Sequence, residues 1–71
     1  IRILMREAVL SGATIMALVH NHPSGNTQPS KADDVLTQQI AKACQVMRLF
    51  FMDHVIVTDG AFYSYHDKGR L

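Results

Sequence analysis

The chain has 71 residues, seven of them basic and six acidic, for a net charge of +1. That length admits one domain with a thin core, since a chain this short buries only about 60% of its unfolded surface. Apolar residues make up 48% and charged residues 18%, which excludes a disordered chain, a phosphate-tracking basic patch and, with no long apolar run, a membrane-spanning helix.

The first residue is Ile1 rather than Met, and the chain opens directly on a helical pattern. We expect a piece of a larger domain whose earlier elements precede it. Ile1, Leu4, Met5 and Ala8 fall at helical spacing, with Arg2, Arg6 and Glu7 on the remaining faces. This helix ends near Ser11-Gly12, where glycine can take the left-handed cap conformation. Thr14 to His20, TIMALVH, is a continuous apolar run of strand length, suited to a strand covered on both faces.

A loop rich in turn formers follows, with Pro23, Gly25, Asn26 and Pro29. Ser30 then heads a second amphipathic helix, its N-cap, with Leu36, Ile40, Ala43, Cys44 and Met47 along one stripe. Cys44 is the single cysteine, which excludes an internal disulfide and fits a reducing compartment. Met47, Phe50, Phe51 and Met52 read as core residues. Phe51 to Thr58 is rich in strand formers, Asp59-Gly60 is a hairpin signal, and Phe62 to Tyr65 is the returning strand. The tail from His66 to Leu71 is polar and reads as loosely held. The order is α-β-loop-α-β-β, a mixed α/β sheet with flanking helices that lacks at least one partner strand.

Chemistry concentrates in HNHPSGNTQPSKADD, His20 to Asp34. His20 and His22 are two apart at a strand end, so their side chains leave on one face. Two imidazoles supply two of the three protein ligands of a catalytic zinc. Asp33 is the natural third ligand, because the loop returns the chain to the next helix and its positive dipole end favours a carboxylate there. Ser30 lies one turn before Asp33, where its hydroxyl can donate to an oxyanion. Each residue also has a purely structural reading. His20 can be a satisfied strand-end histidine, His22 an exposed loop residue, and Ser30 with Asp33 a capping box.

The spacing His20-x-His22, seven residues, Ser30, two residues, Asp33 resembles the H-x-H-x7-S-x2-D signature of the JAMM (MPN/JAB) metalloprotease superfamily. The fuller string HNHPSG…PSKAD, with MDHVIV downstream, looks like the RadC-like branch, whose members carry a DNA-repair label. The likeness runs over nearly the whole chain and implies a JAMM/MPN fold of the cytidine-deaminase-like type. By that resemblance residues 1–71 are the C-terminal part of one such domain, with N-terminal strands missing. It implies Zn2+ held by His20, His22 and Asp33, Ser30 stabilising a tetrahedral intermediate, and hydrolysis of an amide or isopeptide bond in a peptide or protein substrate. The family's general-base glutamate stands several tens of residues before the histidines. Glu7, only thirteen residues before His20, reads as a solvated helix face, so we expect that glutamate upstream.

Asp53 and His54 alternate onto opposite strand faces and read as structural, with His54 at most a partner of a metal ligand. Asp34 points about 100° away from Asp33 around the helix and reads as solvent-facing. Two rival functions are a nucleic-acid-associated repair module, which the scattered charge does not support, and a non-catalytic scaffold of the same fold. An HNH nuclease spreads its residues over a ββα unit, and a zinc deaminase needs a Cys-x-x-Cys pair; neither fits. The expected setting is the bacterial cytoplasm, without membrane attachment, and an exposed sheet edge predicts self-association.

Overall fold

The structure is a computed structural model that describes residues 2–71, so Ile1, expected in the first helix, lies outside the described residues. Helix α1, Arg2–Leu10, ends where Gly12 takes φ +73°, as its C-terminal pattern predicts. Strand β1, Ile15–Asn21, leads through the polar loop to α2, Lys31–Met47. Strands β2, Phe50–Val57, and β3, Phe62–Ser64, complete the chain. The order is the expected one, and the α/β class holds.

The sheet runs β1-β2-β3. β1 and β2 are parallel, joined by the α2 crossover, while β2 and β3 are antiparallel. The hairpin closes through the Thr58 amide, which donates to the Ala61 carbonyl at 2.9 Å, at the Asp59-Gly60 turn that the sequence marks. Helix α2 stops at Arg48, a non-glycine residue in the left-handed region at φ 58°. Its amide reaches the Cys44 and Gln45 carbonyls, satisfying groups that every helix end leaves open.

Both helices supply the core on one side of the sheet. Met5 of α1 with Ile40 and Cys44 of α2 form a buried cluster, against which Met16 and Leu18 of β1 and Phe51 of β2 pack. The Cys44 thiol lies 3.6 Å from the Met16 sulfur, and burial pushes it above its usual pKa. A second cluster joins Ile56 to Tyr63 and Tyr65.

The expectation of a strand covered on both faces is not met. β1 alternates, with Ile15, Ala17, Val19 and Asn21 exposed and Met16, Leu18 and His20 half-buried. Phe50 and Met52, expected in the core, are exposed on β2, and Met47 is exposed at the end of α2. α1 and α2 supply the core cluster on one face only, so apolar character alone cannot bury a residue on the other.

A bulge decides which β2 residues face the helix. Met16 pairs with Phe51, but Ala17 pairs with Asp53, leaving Met52 as the extra residue. Strict alternation from Phe51 would aim Asp53 at α2. With the bulge, Phe51 and His54 both face it, and His54 and Ile56 are fully buried.

The tail is not loose. Arg70 donates to Asp34 at 2.7 Å and to the Tyr63 hydroxyl at 3.0 Å, and its guanidinium lies 4.9 Å from the Tyr65 ring centroid. Asp34, expected to face solvent, accepts from Arg70 and from the Tyr65 hydroxyl at 2.8 Å. Polar character predicted a free tail, but polar groups with partners are held.

Candidate metal centre

His20 belongs to the half-buried side of β1, and His22 continues the same line one residue past the strand. The His22 amide donates to the Val57 carbonyl at 3.1 Å, so it keeps the strand's geometry. The two rings leave on one face as expected, with centroids 4.8 Å apart and planes at 87°.

The loop then turns back. The Gly25 amide donates to the His22 carbonyl at 3.1 Å, with Gly25 at φ +83°, a conformation that glycine adopts without cost. The next carbonyl, that of Asn26, accepts from His22 Nδ1 at 2.8 Å. The Asn26 side chain in turn accepts the Gln28 amide at 3.0 Å, which directs the chain towards α2.

Ser30 is the N-cap of α2, and both halves of a capping box are present. Its hydroxyl oxygen accepts the Asp33 amide at 3.1 Å, and Asp33 Oδ2 accepts the Ser30 amide at 2.8 Å. The box places the Asp33 carboxylate at the helix N-terminus beneath the two histidines.

The three side chains converge as their spacing predicts. Asp33 Oδ1 lies 3.2 Å from His20 Nδ1, and Asp33 Oδ2 lies 3.0 Å from His22 Nε2. One ligand atom from each residue lies within 4.8 Å of the others. Asp33 is only 4% exposed. Burial works to raise its pKa, but the Ser30 amide and hydroxyl and the two imidazoles outweigh it and hold the carboxyl below its ordinary range.

The donor chemistry fits a divalent metal. A carbonyl oxygen has no proton, so His22 Nδ1 must donate to Asn26, which leaves Nε2 with a lone pair in the neutral ring. That lone pair faces a carboxylate oxygen at 3.0 Å, an arrangement stable only with a proton or a cation between them. His20 Nδ1 is buried and makes no hydrogen bond among the described residues, although Asp33 is near. Metal-binding histidines characteristically donate their other nitrogen to a carbonyl, as His22 does here. Two imidazoles and one carboxylate form a ligand set with room for a further ligand.

Behind this triad lies a polar group that sequence reading largely missed. Thr37, one turn after Asp33, donates to the Asp33 carbonyl at 2.8 Å and contacts His54 Nδ1. The signal available for Thr37 was its i+4 position on the Asp33 face of α2. Desolvation lowers the His54 pKa, and the His20 charge adds to it, against the pull of the Asp33 and Asp53 carboxylates. Asp53 faces the other way as expected and is structural. Its carboxylate accepts from the Ser64 hydroxyl and from the His54 and His66 amides, fastening the end of the hairpin.

A cleft of about 470 Å³ opens beside His22, between Asn21 to Pro23 on one side and Thr58 to Ala61 on the other. It lies past the carboxyl ends of β1 and β2, the usual ligand position for parallel strands. Glu7 is exposed on α1 and does not belong to the triad, as its solvated-face reading predicts. Among the described residues, no helix is long and apolar enough to cross a membrane. A family model described as "RadC-like JAB domain" matches residues 1–70.

Proposed function

The chain belongs to the RadC-like JAB domain family, and on that premise we propose that it carries the metal site of a zinc-dependent hydrolase of the peptidase or isopeptidase type. The observation that supports this most directly is the convergence of His20, His22 and Asp33, with the His22 Nε2 lone pair turned onto the Asp33 carboxylate. In this reading those three residues hold Zn2+, and the cleft beside His22 receives the substrate chain. A zinc ion held there supplies Lewis acidity, lowering the pKa of a coordinated water to about 7 and polarising a carbonyl.

The protein's own part is positioning. Asn26 fixes the orientation of the His22 ring. The capping box fixes Asp33, and its serine hydroxyl donates to the oxygen that gains negative charge as the carbonyl is attacked. Ser30 is therefore assigned as the oxyanion donor. The family resemblance assigns the proton of the attacking water to a glutamate outside the described residues. The free Cys44 thiol favours a reducing compartment, the bacterial cytoplasm. The exposed apolar residues Val19, Phe50 and Phe62 favour association with a second copy or a partner segment.

The test is the zinc content of the purified chain beside that of a His20→Ala/His22→Ala variant. Stoichiometric zinc in the parent and none in the variant is expected. Equal content in the two defeats the assignment.

A further inference from the structure

His54 is wholly buried and has no part in the ligand set assigned above. Its position in the sheet explains what it touches. It sits on the central strand, opposite Leu18 on β1, and the Tyr65 amide donates to its carbonyl at 3.0 Å. Its imidazole is stacked with the Tyr65 ring at 4.8 Å, planes 1° apart, and with the His20 ring at 6.1 Å, planes 12° apart. Three rings from three neighbouring backbone segments thus form a column that ends on a metal-ligand histidine. The far end is braced, because the Tyr65 hydroxyl donates to Asp34 at 2.8 Å and Arg70 lies over the Tyr65 ring.

The same imidazole reaches the second ligand through one hydroxyl. Thr37 has a single hydroxyl proton and gives it to the Asp33 carbonyl, so His54 Nδ1 must be the donor to Thr37 Oγ1. The Asp33 main chain is therefore tied to the central strand, in addition to its cap at Ser30. The price is His54 Nε2, a buried acceptor with no partner among the described residues. An apolar ring would remove that cost. A histidine here is a poor choice for stability alone, and such local conflicts are expected beside functional sites.

We propose that His54, acting through Thr37, is a positioning residue for the metal site. Thr37 and His54 fix the Asp33 backbone, and the ring column fixes the plane of His20, so that both ligands are set before metal arrives. The proposal rests on the reading of His20, His22 and Asp33 as ligands.

The experiment is titration of the metal-free 71-residue chain with Co2+, read from the ligand-field absorption, for the parent and for Thr37→Val, Thr37→Ser and His54→Phe. Far-UV circular dichroism in chelator reports whether each variant is folded. Thr37→Val keeps the side-chain shape and loses the hydroxyl, and His54→Phe keeps the ring and loses the donor. Each is expected to fold and to bind Co2+ about tenfold or more weakly, the usual loss when a ligand's hydrogen-bonded support is removed. Thr37→Ser, which keeps the hydroxyl, is expected to restore parental affinity. Folded Thr37→Val and His54→Phe with parental affinity and spectrum overturn the positioning role alone. Should His54→Phe fail to fold, the Thr37→Val and Thr37→Ser pair decides in the same way. A parent chain that binds no Co2+ defeats the metal reading itself, and the positioning role with it.

Discussion

Asp33 carries two loads that substitution can separate. In the metal-free protein it is the last residue of the capping box, accepting the Ser30 amide at 2.8 Å from a 4% exposed side chain. In the proposed metal site it is a ligand. Asp33→Ala removes a charge-assisted hydrogen bond, about 1.5–3 kcal/mol, and a favourable charge at the helix N-terminus, about 0.3–1 kcal/mol. The sum is a loss of about 2–4 kcal/mol. For a chain of this size each kcal/mol lowers the melting temperature by about 4–8 °C, so Asp33→Ala is expected to melt at least about 8 °C lower. Asp33→Asn keeps an oxygen to accept the Ser30 amide and loses mainly the charge, so its cost is about 1 kcal/mol. Both variants are expected to lose metal. The assay is thermal melting in chelator beside zinc content. Asp33→Ala melting with the parent in chelator would refute the capping argument. Asp33→Asn retaining full zinc would refute the ligand assignment.

Ile40 is fully buried in the cluster beneath β1, and Ile40→Ala is expected to cost about 2–5 kcal/mol, measured by urea denaturation; a loss below about 1 kcal/mol would mean the site collapses without a cavity. The His54 pKa is lowered from 6.5 in the fold, so the unfolded chain takes up the proton first. The associated stability is full above about pH 6.5 and declines as the pH falls below it, so the urea midpoint of the metal-free protein should fall more between about pH 7.5 and pH 5.5 than that of His54→Phe, which shares the same His20, His22 and Asp33. An equal change in the two contradicts a lowered His54 pKa. Arg70→Ala removes a half-exposed ion pair with Asp34 and a contact with the Tyr65 ring; only a small drop in melting temperature is expected, given the screening of such pairs. Faster amide exchange of residues 66–71 should accompany it, and unchanged exchange would show that the tail is held by other contacts.

The stretch from His20 to Asp34 was legible because its information is local. A strand end sends residues two apart to one face, a capping box is written in four residues, and a glycine marks the return of the loop. Helix and strand order followed from periodicity for the same reason, as did the burial of Cys44 and Ile40, the partial burial of Phe51 and the exposure of Glu7. The exposure of Met47, Phe50 and Met52 was not legible, because composition does not say which sheet face the helices cover. Nor was the bulge at Met52, which rotates His54 rather than Asp53 towards α2 through pairing with another strand. The contacts that complete the site are remote in sequence: Thr37 with His54 spans 17 residues and Asp34 with Arg70 spans 36. The sequence by itself determined which side chains form the candidate site and how the loop returns them to one place. Only the tertiary structure decided which buried groups stand behind them, since that depends on register and on which segments the sheet makes neighbours.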